Sequence, residues 1–298
     1  MRKKLTIHDY RLWLVALIVF ALGACSDQSR ESAAVPDKDW DNVYRIRDQL
    51  ASGEGGGGAT ASLQPTGWAT ISGKFLYDAT SAPSQAPIIA TKDAEVCGVF
   101  NLRDESLVVD PDSMGLANVF IFLRTPRGFS EPHPSYSPDT DVTMSNKGCR
   151  FEPHVLGVWL PQTLRVTNDD PVAHNANCTP AGDSGFNEML QASGGELKAS
   201  FGLDKTSGVA VTCTVHTWMR GWVIPRDNPY FATTDAEGNF RIENVPAGIK
   251  LEFQVWHERS GPLNADATWR RGRFSLELAA GEERILEPIK VNPNLLNK

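Results

Sequence analysis

The sequence predicts an all-β protein built from β-sandwiches, and three observations lead to this prediction. From Trp68 onward, short runs of alternating apolar residues are separated by Gly, Pro, Asn and Asp turns. Many short strands joined by regular turns are typical of a sandwich or a barrel. The sequence has no convincing long amphipathic helix. Its 298 residues are enough for one large or two ordinary domains.

The first 24 residues have the pattern of an export signal. Arg2, Lys3 and Lys4 precede a short apolar run from Leu12 to Leu22, and a basic start followed by such a run is typical of secretory signals. The run is shorter than the about 20 residues that a membrane span needs. It ends in Leu-Gly-Ala-Cys25, which resembles a bacterial lipoprotein cleavage box.

The resemblance implies that Cys25 is lipidated and anchors the mature protein to a membrane. The alternative is an ordinary cleaved signal with a chance cysteine. Ser26 follows the cysteine, which favours the outer membrane of a Gram-negative cell, facing the periplasm or the cell surface.

Residues 25–66 are predicted to be a flexible tether. They are rich in Ser, Asp, Ala and Gly, and such a composition buries too little apolar surface to order itself. The formal net charge of the chain is -7, and no block of Lys and Arg stands out. We therefore expect no nucleic-acid partner.

The predicted strands follow in order beyond the tether. One run between them is apolar enough to be buried on both faces, and another ends at a cysteine. A turn at Gly238 and a second turn over residues 244–248 flank the next-to-last strand. The clearest strands are predicted over residues 71–77, 118–123, 164–168, 209–213, 239–242 and 251–257.

One short segment combines three kinds of metal-binding side chain. Cys213, His216 and Met219 lie within seven residues, and His174 precedes them in a separate stretch, Pro-Val-Ala-His-Asn. One thiolate, two imidazoles and a weak axial thioether are the ligand set of a blue-copper electron-transfer site. Each residue alone has an ordinary explanation, such as a surface His or a core Met. The main alternative for the set is a disulfide between Cys213 and Cys178 in a metal-free fold.

The order of these residues resembles the cupredoxins, in which one His comes first and Cys, His and Met share a later loop. The resemblance implies one type 1 copper site with His174, Cys213, His216 and Met219 as ligands. It also implies that Asn175 and Thr214 tie the two ligand loops together by hydrogen bonds. His154, in Phe-Glu-Pro-His, is open to three interpretations: a structural His, a residue behind the ligands, or a second weak metal ligand.

Export places the remaining cysteines in an oxidising compartment. We expect Cys97 and Cys149 to form a disulfide, because Cys178 lies only four residues beyond His174. Cys178 would then be an unpaired thiol. The alternative is that Cys178 pairs with one of the other two.

The C-terminal third resembles a carboxypeptidase regulatory-like, transthyretin-type β-sandwich. The resemblance includes the turn at Gly238, the strand ending at His257 and two stretches before the metal motif. The simplest arrangement inserts a cupredoxin domain, residues 148–228, between two parts of that sandwich, residues 67–147 and 229–298. A separate N-terminal β-domain is the alternative. The pairing of the two modules is similar to a group of exported bacterial proteins, common in planctomycetes.

Two functions fit these patterns. The first is a membrane-anchored one-electron carrier in the cell envelope, with an unknown redox protein as its partner. The second is a non-redox adhesion or binding module whose copper site is structural, used for storage or vestigial. The six His include no His-x-His pair, which multicopper oxidases use, and a CuA-type centre needs a second Cys in the ligand loop. We therefore expect that the protein is not an enzyme.

Overall fold

The structure, a computed structural model, describes residues 64–125 and 132–297. The predicted signal, Cys25 and most of the predicted tether lie outside these residues. Within them the chain is almost entirely β, which confirms the predicted class, and its helices are short. None of these helices has the length and apolar character needed to cross a membrane.

The strands in the first half of the described chain are β1 Gly67–Tyr77, β2 Phe120–Arg124, β3 Val142–Asn146, β4 Phe151–Glu152, β5 Val155–Trp159, β6 Leu164–Asn168, β7 His174–Cys178, β8 Phe186–Leu190 and β9 Gly195–Ala199. Those in the second half are β10 Val209–Thr212, β11 Arg220–Arg226, β12 Phe231–Thr233, β13 Asn239–Ala247, β14 Lys250–His257, β15 Gly261–Pro262, β16 Arg273–Glu277, β17 Glu283–Ile285 and β18 Ile289–Val291. The helices are α1, Ala94–Cys97, and two 3₁₀ turns, Gly98–Phe100 and Pro293–Leu295.

Two sheets combine strands from both ends of the described chain. One has the order β13-β1-β17, with β18 also on β1, and the other has the order β12-β2-β14-β15, with β16 also on β14. Their inward faces share one apolar cluster that includes Phe75, Ile121 and Phe253. β2 is buried on both faces, as its sequence predicts. We call this unit the outer sandwich.

The other two sheets come from the middle of the chain and form the inner sandwich. Their strand orders are β4-β3-β6-β9 and β5-β11-β10-β7-β8. Met144, Val166 and Val211 are fully buried between them. This arrangement is consistent with the predicted cupredoxin-like β-sandwich.

The structure differs from the sequence prediction at two points. β3 pairs in parallel with β6, so it lies in the inner sandwich although the predicted boundary at residue 148 excludes it. Its Met144 side chain packs in the inner core, which explains this position. β13 continues to Ala247 through the turn predicted over 244–248, because Asn244 takes a φ of 50° and the β1–β13 register shifts there. The domain division itself stays a prediction.

An apolar junction connects the two sandwiches. Phe120, Phe122 and Trp256 from the outer sandwich meet Val155 and Ile224 from the inner one. Arg226 of β11 adds a polar contact across the junction. Its guanidinium donates to the Leu123 carbonyl at 3.2 Å and lies 4.0 Å from the centre of the Phe122 ring. This arginine is almost fully buried, so the Asp204 carboxylate at 2.8 Å offsets the cost of desolvating its charge.

Candidate metal centre

Two neighbouring antiparallel strands bring the predicted ligands together. β7 begins at His174, while β10 ends at Thr212, so Cys213 stands directly beyond the strand end. β10 and β7 pair antiparallel with Thr212 opposite Asn177, so the residues that follow β10 run alongside the start of β7. The loop from Cys213 to Met219 then turns back into β11. Two backbone bonds close it: Cys213 N–H to the Met219 carbonyl at 3.3 Å, and Met219 N–H to the His216 carbonyl at 2.8 Å.

Three of the four predicted ligands converge at one point. Ligand atoms of His174, Cys213 and His216 lie within 4.8 Å of one another, and all three residues are buried. The Nδ1 atoms of the two imidazoles are 2.9 Å apart, and the Cys213 sulfur is 3.8 Å from His216 Nδ1. Met219 is also buried, and it packs in the same apolar cluster as Cys213.

Each imidazole is held from behind by a carboxylate. His174 Nε2 is 2.9 Å from Asp170 Oδ2, and His216 Nε2 is 2.8 Å from Asp93 Oδ2. A carboxylate accepts the proton of Nε2–H, so these partners assign the tautomer that leaves Nδ1 as a bare lone pair. Two such lone pairs 2.9 Å apart repel each other unless a cation lies between them, either a proton or a metal ion.

Sequence reasoning assigned no role to these two carboxylates. The sequence does give an indication of Asp170, because this residue lies four positions before His174. Its carboxylate also accepts backbone N–H bonds from Gly148 at 2.7 Å and Cys149 at 2.8 Å. Burial alone raises the pKa of Asp170, but the bonds from His174 and these amides outweigh it and lower the pKa. Asp93 is 123 residues from His216, so no local pattern indicates it.

The Cys213 thiol is in an environment that favours the thiolate. Backbone N–H groups of Asn175 and His216 each donate to its sulfur at 3.3 Å. Burial raises the pKa of Cys213, but the polar groups around its sulfur, His174 and these amides among them, outweigh it and lower the pKa to about 6. The thiolate is the form that binds metals.

The two residues assigned by the cupredoxin resemblance connect the ligand loops. The Asn175 side-chain oxygen accepts from the backbone N–H of Thr214 at 3.3 Å and from its hydroxyl at 3.1 Å. The Asn175 amide group donates to Asn187 Oδ1 and to the Glu188 carbonyl. Because Asn175 follows His174 and Thr214 follows Cys213, these bonds fix the spacing between the first ligand and the ligand loop.

A disulfide joins Cys97 to Cys149 with an S–S distance of 2.08 Å. Cys97 ends α1, and its N–H donates to the carbonyl of Asp93, the residue before that helix. Cys149 donates to Asp170, as described, and its carbonyl accepts from Trp218 Nε1 at 3.2 Å. The bridge therefore ties together the segments that carry both carboxylates.

The other predicted residues lie elsewhere. Cys178 and Cys213 are both free thiols, so the alternative pairing between them is not seen. Burial raises the pKa of the Cys178 thiol to about 12, which makes it a poor ligand. His154 is outside the ligand cluster and pairs through Nε2 with Glu258. The Trp218 ring lies 5.1 Å from that of His216, and Trp222 packs 5.4 Å from Trp256 at the junction.

Several solved structures resemble part of the chain. An oxidised amicyanin variant is 20% identical with a TM-score of 0.26, and the match covers 30% of this chain and 84% of that one. A purple cupredoxin from Nitrosopumilus maritimus is 22% identical with a TM-score of 0.24, over 28% and 99% of the two chains. A copper-containing nitrite reductase from Thermus scotoductus is 22% identical with a TM-score of 0.27, but the match spans only 22% of its length and 29% of this chain.

At these TM-scores the similarities carry no argument about function. No protein-family model and no curated protein matches the sequence. The regulatory-like resemblance of the outer sandwich stays a prediction.

The geometry of the site fits a copper ion. The donors are a thiol with a lowered pKa and two imidazoles whose bare nitrogens face each other. A thiolate with two imidazoles and a distant thioether is the donor set of a blue-copper site. Two nitrogens 2.9 Å apart can each bond to one ion at about 2 Å, a usual metal–imidazole distance.

Proposed function

We propose that this protein is a type 1 copper protein that carries single electrons in the cell envelope. The observation that supports the proposal best is the convergence of Cys213 with two imidazoles whose Nε2 atoms are both held by carboxylates. His174, Cys213 and His216 would hold the ion, and Met219 would supply a weak thioether donor. When bound, copper supplies a one-electron couple.

The residues around the site would keep its geometry unchanged during electron transfer. Asp170 and Asp93 fix the two rings from behind, and the Asn175–Thr214 bonds fix the loops. Both imidazoles are fully buried, which excludes water from their ligand atoms. A site that does not rearrange needs little reorganisation energy when its charge changes.

We further propose that Trp218 connects the centre to the surface. Its ring is partly exposed and lies 5.1 Å from the ring of His216, which has no exposed surface of its own. In the proposed function the protein is not an enzyme. Its partner is a redox protein of the envelope, and the lipid on Cys25 holds it at a membrane, with the outer membrane as the proposed location.

The test is the visible absorption and electron paramagnetic resonance spectrum of the protein loaded with Cu(II). An intense thiolate-to-copper band with narrow copper hyperfine splitting supports a type 1 site. The matched control is Cys178→Ser, which removes the other free thiol and should leave the spectrum unchanged. Cys213→Ser should abolish the band. A pale spectrum with ordinary hyperfine splitting in the parent chain would refute the proposal.

A further inference from the structure

One buried imidazole outside the first centre has a ring nitrogen without a hydrogen-bond partner. His154 is 9% exposed, and its Nε2 pairs with a carboxylate oxygen of Glu258, whose side chain is 7% exposed. Among the described residues, no hydrogen-bond partner is found for His154 Nδ1. A buried polar atom in this state is costly, so it calls for an explanation.

The imidazole lines a cavity beside the copper centre. The cavity has a volume of about 160 Å³, and its walls include Glu105, His154, Met219 and Glu258. This volume is large enough for an ion with several water molecules. A second cavity, of about 280 Å³, is also lined by Glu105 and His154. The two residues therefore have open space around them.

The pair with Glu258 determines which nitrogen of His154 is available. Because the carboxylate accepts from Nε2–H, Nδ1 carries the lone pair in the neutral ring. A histidine whose other nitrogen is bound to a carboxylate is the usual arrangement of a metal ligand. His174 and His216 have the same arrangement at the copper centre, with Asp170 and Asp93 as partners.

Glu105 supplies the second donor atom. Its Oε2 is 3.9 Å from His154 Nδ1, which is too far for a hydrogen bond. Two atoms bonded to one metal at about 2.0–2.2 Å each can be at most about 4.3 Å apart, so this separation fits a shared ion. The other oxygen of Glu105 is occupied by Arg150 at 3.1 Å, which leaves Oε2 directed to the imidazole. Burial raises the pKa of Glu105, so its charge lacks full solvation.

We propose that His154 Nδ1 and Glu105 Oε2 bind a second divalent transition-metal ion beside the copper centre, with water as its further ligands. Glu258 is a positioning residue that orients the imidazole. One imidazole with one carboxylate suits a borderline ion such as Zn²⁺ or Cu²⁺. The proposal does not depend on the function of the first centre.

The test is a calorimetric titration of the full chain with Zn²⁺ alone, in a background with His174→Gln and His216→Gln. This background removes the imidazoles of the first centre, so failure of the copper proposal cannot affect the result. We expect one zinc ion to bind. Adding His154→Gln should weaken zinc binding at least tenfold, and Glu258→Gln should weaken it about 10- to 100-fold, the usual effect of losing the partner of a ligating histidine.

Two further variants make the outcome unambiguous. Glu105→Gln changes a side chain that is 21% exposed, so it should fold even where His154→Gln does not, and it should also weaken zinc binding at least tenfold. His133→Gln removes a histidine whose ring bonds to Ser135 and contacts Trp68 and which lines neither cavity, so it should leave zinc binding unchanged. Absence of zinc binding in the background chain, or equal binding after His154→Gln and Glu105→Gln, would overturn the proposal.

Discussion

Replacing Asp170 with Asn should weaken both the fold and copper binding. The carboxylate accepts three bonds, from Gly148 N–H at 2.7 Å, Cys149 N–H at 2.8 Å and His174 Nε2 at 2.9 Å. An amide has only one acceptor atom, so its NH₂ group must face at least one of these donors. A lost bond to a charged group costs about 1.5–3 kcal/mol, and the remaining bonds lose their charge assistance. We therefore expect the free energy of unfolding to fall by about 2–4 kcal/mol.

The same change removes the group that sets the tautomer of His174. Losing such a partner usually lowers metal affinity about 10- to 100-fold, and we expect this effect on Cu(II) affinity. Urea denaturation of the metal-free protein measures the first effect, and competition with a chelator measures the second. Both assays should be run on one preparation, because the affinity loss must exceed what partial unfolding explains.

Two neighbouring carboxylates serve as comparisons. Asp169→Asn changes an exposed residue next in sequence and should leave both quantities unchanged. Asp93→Asn removes the matching partner of His216, but its side chain is 44% exposed, so its effect on unfolding should be under about 1 kcal/mol. Copper affinity should still fall. If Asp170→Asn bound Cu(II) within twofold of the parent, the carboxylates would not position the ligands and the reasoning would be wrong.

Three other changes test different parts of the structure. Cys149→Ser opens a disulfide that spans 52 residues and should lower the free energy of unfolding by about 4 kcal/mol in denaturation experiments; an unchanged value would show that the bridge is not formed. Burial lowers the pKa of His257 to about 4. The contribution of neutral His257 to the free energy of unfolding is therefore complete above pH about 6.5 and is lost as pH falls towards 4, by up to about 3 kcal/mol. His257→Gln should flatten the pH dependence of the free energy of unfolding over this range. Met219→Leu should raise the reduction potential measured by voltammetry, because the axial ligand tunes it; an unchanged potential would place Met219 outside the coordination sphere.

Local sequence patterns were sufficient to predict two strands near the site, but not β7, which begins at the ligand His174. β6 matches its predicted range, and β10 ends at Thr212, one residue short of its predicted range of 209–213. The pattern works here because each strand has one buried and one less buried face. It fails at residues 244–248, where Pro and Gly suggested a turn but pairing with β1 extends the strand.

Long-range contacts were beyond the reach of such patterns. Asp93 precedes a four-residue helix, and nothing around it indicates that its carboxylate meets His216. The predicted disulfide between Cys97 and Cys149 partly indicates where Asp93 lies, because it brings the Asp93 segment to the loop that bonds to Asp170. The position of β3 likewise depends on parallel pairing with β6, which no turn between them signals.

The apolar junction between the two sandwiches has a consequence for recognition. Aromatic side chains such as Phe120, Phe122 and Trp256 fill it, and Arg226 crosses it. A packed contact of this kind resists sliding and rotation, so the two units should tumble as a single body. A partner that binds only the outer sandwich would therefore have the metal centre at a fixed distance and angle from its binding surface. The outer surface that a partner would bind and the metal centre that would react with it could then change independently in sequence. Their relative position in space would stay the same.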